Sequence, residues 1–151
     1  MPVDPNIQTP APSWLIYAII GGFLIIFPLI WCFVLWILSL GGWRQLAKTF
    51  AAGNLPATGE GHSGLNGMIG AVSYRGVITV HLNEEGFFME VMAIFKVCHP
   101  RLFIPWSEIK SRQPVRILWW KSVKLTVGDP AVATVTLPED LFALPLPATQ
   151  G

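Results

Sequence analysis

A chain of 151 residues with a formal net charge of +1 and 13 % charged side chains has no global polyanion-binding signature, which argues against nucleic acid as a partner. Its two cysteines, Cys32 and Cys98, exclude a disulfide framework and are expected as free thiols. The 52 % apolar composition is concentrated near the N-terminus, and the remainder suffices for one modest core but not two.

Residues 1–13 contain Pro2, Pro5, Pro10 and Pro12 and are expected to form a short extended tail. No charged residue lies between Asp4 and Arg44, and from Trp14 to Leu40 only Gly21, Gly22, Pro28 and Ser39 interrupt the apolar run. A bilayer core of ~30 Å takes about 20 helical residues to cross, so residues 14–43 are expected to be a transmembrane helix. A cleaved secretory signal would show a basic start and a shorter apolar core. No Lys or Arg precedes this run, and an uncleaved single-pass anchor is the expectation. Trp14 and Tyr17 at one end and Trp43 at the other suit the two membrane interfaces, where amphipathic rings are favoured.

Arg44 and Lys48 follow the span at once, whereas the other flank carries only Asp4. The positive-inside bias then puts the N-terminus outside the cell (inner) membrane and the C-terminal domain in the cytoplasm. Pro28 removes a helical hydrogen bond and predicts a kink. Gly21 and Gly22 would let a second backbone come close, and with Pro28 they form a candidate helix-packing site. The span holds no ionisable group, which argues against a proton or ion path.

Residues 44–52 continue at helical spacing, with Trp43, Leu46, Ala47 and Phe50 on one side, and are expected as a short amphipathic helix in the membrane interface. Residues 53–66 are rich in glycine, include Pro56, and predict a flexible linker. Strand signals then fill a domain at 67–145. Val77–Leu82 runs into the turn cluster Asn83-Glu84-Glu85-Gly86, and Phe87–Phe95 returns with apolar residues on both faces, so that its outer side needs a cover. Leu102–Trp106 is a short strand whose Pro105 suggests an edge. Residues 115–119 and 123–127 alternate and predict a hairpin, followed by a strand at 131–137 and a short helix from Pro138 to Phe142. Residues 146–151 form a tail. One membrane helix plus a mainly-β barrel or sandwich with a short C-terminal helix is the expected fold class.

The segments GWRQLAKTF, HPRLFIPWSEI and VKLTVG, in this order after a tryptophan-bounded anchor, resemble a group of small bacterial single-pass membrane proteins. The IPWSEI stretch is similar to the strand-then-turn signature of bacterial pleckstrin-homology-like domains. The resemblance spans residues 43–143 and implies a small barrel closed by one C-terminal helix. It implies no catalytic residues.

Several motifs carry less than their letters suggest. Gly59-Glu60-Gly61-His62-Ser63-Gly64 spells GxGxxG, but a dinucleotide site needs a strand before it and a helix after it. Ser107-Glu108-Ile109-Lys110 spells SxxK without the accompanying SDN and KTG elements. His62, His81 and His99 have no metal-ligand spacing, and the adjacent Cys98 and His99 would point apart on a strand. No cofactor and no metal is expected.

Residues 101–124 hold Arg101, Lys110, Arg112, Arg116, Lys121 and Lys124 against Glu108 alone. Within them, Arg116, Trp119, Trp120, Lys121 and Lys124 combine aromatic and basic side chains. That combination suits either anionic lipid headgroups or a membrane-protein partner. The reading of the sequence is therefore a membrane-anchored, non-catalytic binding module. A structural accessory subunit of a larger membrane complex is the alternative. A membrane-bound enzyme, with a cleft lined by His81, His99 or Glu90, is the weakest.

Overall fold

The computed structural model describes residues 10–143. The chain divides into two compact units, one ending at Val34 and the other beginning at Leu35. The expected tail at 146–151 lies outside the described residues, as does most of the tail at 1–13.

Helix α1 runs from Ser13 to Leu40 and passes through Pro28 unbroken. Its 28 residues are long and apolar enough to cross a membrane. From Trp14 to Val34 its large apolar side chains are broadly exposed. The last turns differ: Leu35 and Ser39 are buried, and Ser39 Oγ donates to the Trp36 carbonyl at 2.7 Å.

After a two-glycine break, helix α2 spans Trp43–Phe50. The sequence placed this helix in the membrane interface. Instead its apolar face, Trp43, Leu46 and Phe50, is buried in the core of the β unit. Trp43 is 0 % exposed and so is not an interfacial belt residue. An amphipathic stripe states only that some apolar surface must be covered, and here the covering surface is protein.

The β unit is a curled half-barrel of seven antiparallel strands in the order β4-β3-β2-β1-β7-β6-β5. The strands are β1 (Glu60–Ile69), β2 (Val72–Leu82), β3 (Gly86–Val91), β4 (Leu102–Pro105), β5 (Ile109–Ile117), β6 (Trp120–Val127) and β7 (Ala133–Pro138). Three 3-10 turns, Ala93–Cys98, Trp106–Glu108 and Glu139–Phe142, complete it. The strand containing Pro105 is indeed an edge. The short helix expected after Pro138 is the 3-10 turn Glu139–Phe142, which packs Leu141 and Phe142 against the core.

The core is the set of inward residues that strand alternation selects, among them Ile78 and Val80 of β2, Phe87, Met89 and Val91 of β3, and Leu125 and Val127 of β6. On the opposite side of β3, Phe88 is covered by Phe103 of β4, with ring centroids 4.7 Å apart. That contact supplies a cover for the doubly apolar segment read as Phe87–Phe95. The segment itself is shorter as a strand, because after Val91 the chain turns into the Ala93–Cys98 3-10 turn.

The linker expected at 53–66 also differs. Strand β1 starts at Glu60 inside the glycine-rich stretch, and its register against β2 shifts on either side of Leu65. Glycines here serve close approach: a Cβ on Gly59 would strike the Leu82 carbonyl. At the far end of β1, Gly70 has φ of 58° and a Cβ there would strike the Gly41 carbonyl, so the β1–β2 turn seats tightly on the break between α1 and α2. Glycine composition reads as flexibility in a sequence, but it equally marks places where backbones meet.

Candidate functional site

The β5–β6 hairpin carries the aromatic and basic residues singled out in the sequence. Ile117 pairs with Trp120, so the turn itself is Leu118-Trp119, one or two residues earlier than expected. Leu118 has φ of 56°, a backbone region that L side chains rarely adopt, and it is the non-glycine residue of this kind among the described ones. Two-residue hairpin turns favour Gly or Asn at such positions. Here the turn presents Leu118, Trp119 and Trp120, which are 68 %, 79 % and 58 % exposed.

Strand alternation divides the remaining candidates between two faces. Trp120 shares its face with Ser122 and Lys124. Arg116 and Lys121 sit directly opposite one another in the register on the other face, together with the inward-pointing Val123 and Leu125. Like charges in cross-strand register repel. Lys124 is three residues further along and belongs with the tryptophan face, paired across to Gln113.

The other basic residues of the 101–124 stretch are engaged within the protein. Arg112 lies over the Phe142 ring at 5.2 Å. Lys110 donates to the Ser107 carbonyl at 2.9 Å, which is what the SxxK spacing does here. Arg101 donates to Glu90 Oε2 through Nε at 3.0 Å and to the Leu55 carbonyl at 3.1 Å. Lys96 also reaches Glu90, at 3.2 Å. Burial alone would raise the Glu90 carboxyl, but the hydrogen bonds and charges of Arg101 and Lys96 outweigh it and hold it below its ordinary range.

Beside the hairpin the surface is concave. Strand β1 pairs with β7 only at Met68 and Ile69, so over Gly64–Asn66 the two strands part. One lobe of the resulting cleft, about 370 Å³, lies between the hairpin and Asn66, Ser73, Arg75 and Thr136. A second lobe of about 450 Å³ is bounded by Leu65, Lys121, Pro138 and Asp140. Asn66, Trp119, Trp120 and Ser122 border both lobes. The cleft therefore offers aromatic walls, hydroxyls, the cations of Arg75 and Lys121 and the Asp140 carboxylate, with an open stretch of β1 between its lobes. Nothing in the sequence pattern marks this parting, because it depends on which strand neighbours β1 and for how long.

The residues proposed for a membrane-bound enzyme do not converge on the cleft. His81 is in β2 with its ring against Gly61. Glu90 is engaged by Arg101 and Lys96. His99 is buried, and its Nε2 lies 2.9 Å from the Tyr74 hydroxyl. Burial lowers the His99 pKa, an effect that the Phe95 backbone partly offsets. Burial pushes the Tyr74 hydroxyl up to about 12. With a neutral imidazole accepting at Nε2, the Tyr74 hydroxyl donates to it, while the other ring nitrogen, Nδ1, is buried without a hydrogen-bond partner. Among the described residues no three His, Cys, Asp or Glu side chains cluster as a metal site would require. Gly59–Gly64 runs into strand β1 and opens no helix. Gly21 and Gly22 have no atom within 4 Å of a would-be Cβ, so the candidate packing face on α1 is open.

No protein-family model matches this chain, and neither the curated proteins nor the solved structures include a significantly similar one.

Proposed function

We propose that the protein is a membrane-tethered, non-catalytic binding module whose β5–β6 hairpin and adjoining cleft hold a segment of a membrane-protein partner. The observation that carries this reading is the exposed Leu118-Trp119-Trp120 turn standing over a two-lobed cleft. Large exposed aromatics beside a concavity are the usual anchors of protein interfaces. The Arg116–Lys121 pair favours a partner segment that carries a carboxylate. Helix α1 serves as an uncleaved anchor, and Arg44 and Lys48 favour a cytoplasmic β unit. Tethering to the same membrane raises the effective concentration of such a partner, so a modest intrinsic affinity suffices.

A pleckstrin-homology-like barrel is supported by the single curled sheet of seven antiparallel strands and by the C-terminal turn whose Leu141 and Phe142 pack on its core. In full-length protein purified in mild detergent, Trp119→Ala with Trp120→Ala is expected to lower partner recovery by about 30-fold, the effect of losing a hot spot worth at least 2 kcal/mol. Glu84→Ala, at an exposed position in the β2–β3 turn, should leave recovery unchanged. Equal recovery with the double variant removes the hairpin as the binding surface.

A permanent accessory-subunit role is the second reading, favoured by the open Gly21–Gly22 face of α1. It predicts that Gly21→Leu with Gly22→Leu releases the partner while the tryptophan variants retain it.

A further inference from the structure

A second exposed apolar surface lies away from the hairpin. At Met92, just before the 3-10 turn that follows β3, and at Ile94 and Val97 within it, the side chains are 52 %, 55 % and 65 % exposed. The turn is held from its other side, where Phe95 packs against the core and its N–H donates to the Met92 carbonyl. An ordered turn that keeps three large apolar side chains outward needs a cover.

Its neighbours indicate which. Directly after the turn, the Pro100 carbonyl accepts the Trp43 indole N–H at 2.9 Å, and the His99 ring lies 5.2 Å from the Trp43 ring. Trp43 is three residues beyond Leu40, where α1 ends. At 1.5 Å per residue, the 21 residues from Trp14 to Val34 cover about 31 Å, the thickness of the hydrocarbon core. Protein burial begins at Leu35, so a spanning α1 leaves hydrocarbon close to where the β unit starts. Pro100, two residues past the turn, is thus bonded to Trp43, three residues beyond the end of α1. Charge agrees, since Lys96 and Arg101 outnumber the single carboxylate, Glu90, that they share. A cation beside apolar side chains matches an interface lined by lipid phosphates.

We infer that the Met92–Val97 turn is a second membrane contact, seated among the lipid headgroups beside the emerging helix with Met92, Ile94 and Val97 directed at the acyl boundary. It would fix the β unit against the bilayer at two points, leaving the hairpin to the partner. This inference rests on the reading of α1 as a membrane anchor.

The test uses full-length protein in phosphatidylcholine–phosphatidylglycerol vesicles, with Cys32→Ala and Cys98→Ala as background. Nitroxide labels are placed at Val97→Cys and, separately, at Ile26→Cys within α1. Relaxation by oxygen and by a water-soluble nickel chelate reports depth. The expected result is a label at 97 lying about 5–10 Å into the headgroup–acyl boundary, with the label at 26 deeper. A label at 97 fully open to the nickel chelate, while the one at 26 is protected, overturns this inference and leaves the anchor standing. A label at 26 open to nickel overturns the anchor and this inference with it. Spin–spin broadening at 97 that dilution with unlabelled chain abolishes assigns the turn to a second copy and likewise overturns the lipid contact.

Discussion

The indole of Trp43 donates to the Pro100 carbonyl at 2.9 Å and sets its ring 5.2 Å from His99 and 5.8 Å from Tyr74. The residue just past the apolar helix is thereby built into the centre of the β unit. Replacing it removes the largest fully buried side chain of the core. Trp43→Ala is expected to cost about 3–5 kcal/mol, while Trp43→Phe, which keeps most of the packing, should cost about 1–3 kcal/mol for the carbonyl left unpaired. Denaturant unfolding followed by circular dichroism in detergent micelles would show this ordering.

Acid should weaken the β unit through His99 first. Its pKa in the folded chain lies below the ordinary 6.5, because burial disfavours the charged ring. The unfolded chain therefore takes up the proton first. Stability is complete above about 6.5 and falls as pH drops from there toward the lowered value. Glu90 acts in the same direction at lower pH, below its ordinary 4.5. Tyr74 has the opposite sign: raised from 10.0 to about 12, it loses stability as pH climbs through that interval. Unfolding temperature measured against pH should decline from pH 6.5 to 5 in the natural protein and stay flatter in His99→Gln.

Arg101 links three separate pieces of chain, Glu90 of β3, Leu55 after α2 and its own position before β4. Glu90 is only 16 % exposed, so stripping its main partner leaves a charge with little water. Arg101→Met is expected to destabilise by about 1.5–3 kcal/mol, and Glu90→Gln should recover part of that loss in the double variant. Unfolding curves for the four members of the cycle measure the coupling directly.

How much of this was legible in the sequence follows from the range of the interactions involved. The apolar helix declares itself within one segment, and strand alternation at Val77–Leu82 and Val123–Val127 shows which residues face inward. The hairpin was placed to within two residues, because turn position depends on register that neighbouring side chains only loosely specify. Trp43 and the helix after it were misplaced for a physical reason: an aromatic at the end of a span suits a membrane interface and a protein core equally well. The strand start at Glu60 was hidden by glycines whose purpose, contact with the Leu82 backbone, is visible only in three dimensions. The cleft beside the tryptophans belongs to the same class, since it exists where β1 leaves β7.

Leu118 holds a backbone conformation that costs an L residue about 1–2 kcal/mol. Leu118→Gly should therefore raise the unfolding temperature while weakening partner capture, since it relieves the turn and deletes an exposed apolar contact. A variant that is both more stable and equally competent would show that the leucine serves no binding purpose.

The most direct test of a partner held at the hairpin is photo-crosslinking from position 119 in native membranes. A photoreactive phenylalanine analogue replaces Trp119 in the full-length protein, and a second chain carries it at Asp129, an exposed position in the β6–β7 turn. The prediction is a discrete protein adduct from 119, absent from 129 and suppressed by Arg116→Glu with Lys121→Glu. Adducts with lipid alone, or the same protein adduct from both positions, would contradict it.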